Sequence, residues 1–189
     1  MTIKALLVDM DGTLVNTAEA NYLAYAEALG QVGVTIGRDE FDQVAPGRNW
    51  RQFLPALLGP GMERHAAAVA EIKASIYPSK LGHTFVNRGL VALIESSRPI
   101  WRTALVTTAS RANATAVLGH HGLTSLFDLI VTGSDVSRHK PDPEAYHLAS
   151  THLALGPGDC LVIEDSDIGV ESAKAFGACF LRVDFTVGP

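Results

Sequence analysis

Five short apolar, β-branched runs punctuate the chain: Ile3–Val8, Thr103–Thr108, Asp128–Thr132, Cys160–Glu164 and Ala178–Val183. Runs of this length, apolar with little alternation, fit strands buried on both faces. Helical stretches precede the last four in turn, over Val86–Ser97, Arg111–His121, Pro143–Leu155 and Ile168–Phe176. Strands and helices alternating at this spacing predict an α/β fold: a Rossmann-like parallel sheet of five strands with helices on both faces. Right-handed crossovers set which face each helix covers.

The first interval breaks that rhythm. Between Val15 and about Phe85 no segment reads as a strand and several read as helices. Ala18–Leu29 places Tyr22, Tyr25, Ala26 and Leu29 on one face. Arg38–Val44 and Asn49–Leu58 follow, the latter disturbed by Pro55. Gly59-Pro60-Gly61 interrupts, and Met62–Ile76 resumes a helical pattern that Pro78 ends. The pattern predicts a core built from residues 1–15 and 86–189, with residues 16–85 inserted as a helical cap. Tyr22, Tyr25, Phe53 and Leu57 are expected in the cap's own core. The short stretch after the fifth run predicts a thinly covered sheet edge.

Composition narrows the class of function. With 47% hydrophobic and 19% charged residues the chain is that of a folded globular protein. A net charge of −5 offers no basic footprint, so nucleic acid is not an expected partner. No apolar run reaches the ~18 residues of a membrane span, and Asp9 interrupts the place of a signal peptide's apolar stretch. Cys160 and Cys179 lie apart in apolar runs and read as buried free thiols in a reducing, cytoplasmic setting. Nothing speaks to oligomeric state.

The candidate chemistry gathers at the ends of the strands. Asp9-Met10-Asp11-Gly12-Thr13 delivers two carboxylates to the carboxyl edge of the sheet, where open α/β folds bind ligands. Two like charges about 4 Å apart repel by roughly 4 kcal/mol at an effective dielectric near 20, so the pair calls for a cation or a shared proton. Thr107-Thr108 closes the second run ahead of Ser110, as a phosphate cradle or as plain strand-end and helix-cap residues. Lys140 is presented by a stiff His-Lys-Pro-Asp-Pro turn. Glu164-Asp165-Ser166 places acids at the end of a buried strand, where they are costly without a metal or ligand. Gly169 inside the following helix costs about 1 kcal/mol relative to Ala, which close packing would explain. An oxygen-only set of this kind suits Mg²⁺, and none of the seven histidines is paired as a metal ligand.

On these residues the chain resembles the haloacid dehalogenase superfamily of aspartate-nucleophile phosphotransferases. Asp9–Thr13 fits its first motif (DxDGT), Thr107 the second, Lys140 the third and Glu164-Asp165 the fourth. The inserted helices resemble the C1-type cap of the subgroup with phosphoglycolate phosphatase and β-phosphoglucomutase. Val86-Asn87-Arg88-Gly89 departs from the Pro-Gly common before the second strand, and the C-terminus is shorter than usual. The resemblance implies a small phosphorylated metabolite as substrate, Asp9 as nucleophile and Asp11 as general acid and base. It implies Mg²⁺ on Asp9, the Asp11 carbonyl and Asp165, with Glu164 acting through water, and phosphoryl oxygens held by Thr107, the Thr108 N–H and Lys140. Cap residues are expected to choose the substrate. Arg48 is the first candidate and Asn21 and Lys73 are others, with a solvated polar face the competing reading, favoured for Lys73.

A sugar phosphomutase is the alternative. Thr17-Ala18-Glu19 resembles those mutases, but Asn21 replaces their histidine. A metal-free haloacid dehalogenase is at odds with Asp11 and Asp165. A receiver-like phospho-acceptor module lacks an explanation for the cap, and the third run ends Val131-Thr132-Gly133 without an acid.

Overall fold

The computed structural model describes residues 2–185. Strand β1 (Ala5–Val8) is buried at all four positions, and its alternation divides the protein's core. Leu6 and Val8 face one apolar cluster, Ala5 and Leu7 the other. Two two-residue strands, β2 (Val15–Asn16) and β3 (Phe85–Val86), bracket four helices: α1 (Ala18–Gln31), α2 (Arg38–Val44), α3 (Trp50–Leu58) and α4 (Ala66–Ile76). The chain then alternates through α5 (Arg88–Ser97), β4 (Arg102–Val106), α6 (Arg111–His120), β5 (Leu129–Val131), α7 (Glu144–His152), β6 (Cys160–Glu164), α8 (Asp167–Phe176) and β7 (Cys179–Arg182).

The five long strands form one parallel sheet in the order β5-β4-β1-β6-β7, so β1 is central, pairing Ala5–Val8 with Arg102–Leu105 on one side and Cys160–Ile163 on the other. Leu90 and Ile94 of α5 and Val117 and Leu118 of α6 cover one face. Ala145, Tyr146 and Ala149 of α7 and Ala173 and Phe176 of α8 cover the other. Each fully buried Leu or Val contributes about 1.5–3 kcal/mol, so this double cover fixes the register of β1 and hence where Asp9 emerges. The α/β expectation and all five strands hold, each within two residues at either end.

Differences lie at the junctions. β2 and β3 pair antiparallel, Val15 with Val86 and Asn16 with Phe85, where no strand was expected after Val15. This ribbon binds together the two crossings of the chain into the inserted helices. Pro55 lies inside α3 without breaking it. Met62–Ile76 begins as a 3₁₀ turn over Glu63–His65 and becomes α-helical only from Ala66, while past Pro78 the chain continues as 3₁₀ over Tyr77–His83. β7 is exposed at all four positions, so Cys179 is an exposed thiol rather than a buried one. Cys160 is buried, and burial pushes its thiol up to about 11.

The inserted helices keep their own apolar cluster, including Tyr25, Leu29, Phe41, Phe53, Leu57 and Val69, with Tyr22 packed at its margin. Tyr25 and Phe41 each meet Phe53 edge-on, with ring centroids 5.1 and 6.0 Å apart. Among the described residues no helix is long and apolar enough to cross a membrane.

Candidate active site

Lys140 lies at the centre of the strand ends, only 2% exposed. Its ammonium donates to Asp9 Oδ1 at 2.7 Å, Glu164 Oε1 at 2.5 Å and the Val106 carbonyl at 2.9 Å. The stiff turn read from the sequence thus aims the ammonium inward, and three core strands supply its acceptors. Burial works against this charge, but Asp9 and Glu164 outweigh it, and Lys140 is held well above the ordinary lysine value. The Tyr146 hydroxyl also donates to Glu164 Oε1, at 2.9 Å, while Oε2 accepts from the Asp165 N–H and the Ser166 hydroxyl. Gly169 is explained here: a Cβ on it would stand 1.9 Å from Glu164 Cδ.

One ammonium does not balance this floor. Carboxylate oxygens of Asp9, Glu164 and Asp165 lie within 4.8 Å of one another. Burial first, then Glu164, raises Asp9 well above the ordinary carboxylate value, despite Lys140. Burial likewise moves Asp165 up to about 6, although the Thr13 hydroxyl donates to it at 2.9 Å. Gly12, at φ +90°, brings the backbone close to Asp165: a Cβ there would fall 2.2 Å from Oδ2. Oxygen donors, uncompensated negative charge and close backbone approach fit a hard divalent cation.

Asp11 stands beside this cluster under three donors. Thr17 Oγ1 donates to its Oδ1 at 2.5 Å, Asn21 Nδ2 to the same oxygen at 3.4 Å, and Thr107 Oγ1 to Oδ2 at 3.3 Å. Asn21 also donates to Thr17 Oγ1 at 3.0 Å. Thr17 precedes α1 and is of helix-capping type, yet it makes no cap hydrogen bond; its hydroxyl is turned to Asp11. Ser110 and Ser166 do cap their helices, α6 and α8.

A cavity of about 450 Å³ connects these groups to the inserted helices, lined by Asp9, Asp11, Thr108, Lys140 and Asp165 below and by Arg48, Trp50, Arg51, Lys73 and Tyr77 above. Arg48 is exposed at its mouth, where its guanidinium donates to the Val44 carbonyl at 3.0 Å. The Arg51 guanidinium stacks 4.2 Å over the Trp50 ring. Lys73 departs most from expectation: it is not on a solvated face but 2% exposed. Its ammonium lies 3.5 Å over the Tyr77 ring and 5.0 Å over that of Tyr25. Burial moves it down to about 7, against the pull of Asp11. Tyr25 and Phe53, expected only in the inserted helices' core, also line this cavity.

Tyr146 escaped the sequence reading, and Thr13 and Thr17 entered it only as parts of motifs, without their contacts to Asp165 and Asp11. Thr17 carried a local signal, a hydroxyl six residues after Asp11 at a helix start; Tyr146 carried none, since it reads as an ordinary core residue.

The sequence matches the haloacid dehalogenase-like hydrolase family over residues 6–183. It is 30% identical over 174 residues to fructose-1-phosphate phosphatase YqaB of Escherichia coli, covering 91% of this chain and 92% of that one. CbbY of Rhodobacter sphaeroides, solved in complex with phosphate, superposes with a TM-score of 0.84 at 27% identity, over 95% of this chain and 85% of that one. β-Phosphoglucomutase from Clostridium difficile shares the fold, with a TM-score of 0.85 at 23% identity over 96% and 84% of the two chains. Sequence, fold and the converging acids, threonine and lysine agree: the chain belongs to the haloacid dehalogenase-like hydrolase family, as an enzyme of its phosphatase type.

Proposed function

We propose that the protein is a Mg²⁺-dependent phosphatase that hydrolyses a small phosphorylated sugar through an aspartyl-phosphate on Asp9. The observation that carries this reading is the convergence of Asp9, Asp11, Lys140 and Asp165 on the floor of one cavity, with Thr107 donating to Asp11 from behind it. Residues 16–85 act as the cap over a core of residues 1–15 and 86–189. The relatedness to a fructose-1-phosphate phosphatase supports a sugar phosphate as the substrate class. The free cysteines fit a cytoplasmic setting.

The substrate's phosphoryl oxygens take hydrogen bonds from Thr107, the Thr108 N–H and Lys140, whose proton on Asp9 turns to the phosphoryl group as Asp9 attacks. A carboxylate oxygen of Asp9 attacks phosphorus, and the sugar oxygen departs with its bonding electrons and a proton from Asp11. Water then attacks the phosphorus of the aspartyl-phosphate and yields its proton to Asp11, which releases inorganic phosphate and restores Asp9. Asp9, the Asp11 carbonyl and Asp165 would hold Mg²⁺, which would supply positive charge to the anionic oxygens brought together in the displacement. Glu164, which accepts from Lys140, Tyr146, the Asp165 N–H and Ser166, fixes Lys140 and would reach the ion through water. Above, Arg48 and Lys73 offer positive charge to anionic parts of the substrate, while Asn21 acts through Asp11.

Phosphate release from a panel of sugar phosphates, with Mg²⁺ and then with EDTA, tests this. We expect at least ~1,000-fold loss for Asp9→Asn with the circular dichroism spectrum retained. A fully active variant excludes the nucleophile assignment. Phosphate exchange between two positions of one sugar, without net release, would support the phosphomutase alternative.

A further inference from the structure

Asn49 is buried to 5% exposure at the start of α3, where two different jobs fall on its one amide. Its Oδ1 accepts from the Arg51 N–H at 3.1 Å, and the Gln52 side chain returns the favour by accepting from the Asn49 N–H at 2.7 Å, completing a capping box. Each side chain thereby turns its oxygen inward to the helix, and each has an NH₂ left for something else. Both amides reach across to the sheet: Asn49 Nδ2 donates to the Thr108 carbonyl at 3.1 Å and Gln52 Nε2 to the Lys140 carbonyl at 3.2 Å. A capping box needs no such reach, and these two carbonyls belong to the two loops that carry the phosphoryl-binding groups.

The Thr108 contact leads further. That carbonyl shares its peptide plane with the Ala109 N–H, which donates to Thr107 Oγ1 at 3.1 Å, and Thr107 Oγ1 donates to Asp11 Oδ2 at 3.3 Å. A continuous chain of hydrogen bonds thus runs from Asn49 to Asp11, and peptide dipoles in such chains strengthen one another. Gly133 leaves room for the carbonyl, since a Cβ there would stand 2.3 Å from the Thr108 oxygen. The Gly47 turn presses the third loop as well: a Cβ on Gly47 would lie 3.0 Å from Ser166 Oγ.

We infer that Asn49 and Gln52 are positioning residues, coupling the docking of the inserted helices on the sheet to the placement of Thr107 and Asp11 for proton donation to the leaving group. The Ala109 N–H fixes the Thr107 oxygen whether its proton serves Asp11 or a phosphoryl oxygen. Asn49 carries the larger share, because its side chain is buried while Gln52 is exposed. The inference rests on the aspartyl-phosphate reading for its catalytic consequence but not for its geometry.

Asn49→Asp and Gln52→Glu separate the two jobs, since each keeps the capping oxygen and loses the outward donor. The measurement is kcat/KM over phosphomonoesters of graded leaving-group pKa, with a melting curve for each variant. We expect Asn49→Asp to melt a few degrees below wild type, because the Thr108 carbonyl loses its donor, and to lose roughly 10- to 100-fold on alkyl phosphates but under ~3-fold on nitrophenyl phosphate. Gln52→Glu should lose under ~5-fold on the alkyl esters. Equal losses for all leaving groups, or none, would overturn the coupling. Hydrogen exchange of the Ala109 amide in resting protein needs no turnover and should speed up in Asn49→Asp. Unchanged exchange sinks this inference even if the enzyme is a phosphatase, whereas absent turnover with altered exchange sinks the phosphatase reading and leaves the hydrogen-bond coupling standing.

Discussion

Lys140 and Lys73 are buried to the same 2% exposure on opposite walls of one cavity, and they are held in opposite ways. Lys140, on the sheet side, has two carboxylates and a carbonyl for its three protons and is held above its ordinary value. Lys73, on the helical side, has two tyrosine ring faces and the distant field of Asp11, and it drops to about 7. Burial alone therefore does not decide the state of a lysine; its acceptors do. Lys140 finds every acceptor it needs within the protein. Lys73 finds none and is driven toward its neutral form, and in our reading an anionic substrate favours its charge again.

The largest effect expected from this contrast comes from breaking the floor. Lys140→Met leaves Asp9 and Glu164 buried beside each other with no cation between them, an arrangement that costs about 3–5 kcal/mol when one partner of a buried pair is removed. Urea denaturation should show that loss, with turnover abolished. A midpoint unchanged from wild type would mean that Lys140 is not the group neutralising these acids.

A smaller test probes how tightly that floor is packed. Helix propensity favours Gly169→Ala by about 1 kcal/mol, yet the new Cβ would overlap Glu164 Cδ at 1.9 Å. Glu164 is pinned by Lys140 and Tyr146, so the clash is expected to win, with a net loss of about 2 kcal/mol and a lower kcat as Lys140 shifts. Gly119→Ala in α6, where a Cβ meets nothing within 4 Å, is the control and should gain up to about 1 kcal/mol. Equal gains at both positions would show that the helix backbone, not Glu164, governs Gly169.

The same two walls differ in how far the sequence discloses them. On the sheet side the apolar runs are long enough to show strands, Asp9, Thr107 and Glu164-Asp165 close three of them, and Lys140 stands in a proline-bracketed turn, so their candidacy was legible from type and place while their roles came from the family resemblance. Tyr146 was not, because a tyrosine on an apolar helix face looks alike with or without a carboxylate over its hydroxyl. On the helical side, β2 and β3 are two-residue strands, too short for any alternation to show. Lys73 was read as solvated, although it continues the stripe Ala66, Val69, Lys73, Tyr77 at helical spacing, all buried. The charge of Lys73 points to solvent, while its place in the stripe points to the interior. Asn49 and Gln52 spell a capping box at three-residue spacing, but their contacts with Thr108 and Lys140 join residues 59 and 88 positions apart, which no local pattern reports.

The subtlest prediction concerns pH at the roof. With Lys73 at about 7 in the folded protein against 10.5 ordinarily, the unfolded chain binds a proton between these values that the folded chain does not. Stability therefore rises with pH across that window, and the penalty of the buried ammonium is fully present below pH 7. Lys73→Met removes the penalty, so it should raise the melting temperature by a few degrees at pH 6.5, an advantage that shrinks toward pH 10. Substrate binding should respond in the opposite sense. An anion beside Lys73 favours its charged form, so KM of the wild type should climb as pH passes 7, over a part of the profile that is flat in Lys73→Met. If the variant is destabilised at every pH, the two ring faces satisfy this lysine after all, and the contrast with Lys140 becomes one of partner chemistry, with no charge held in reserve for a ligand.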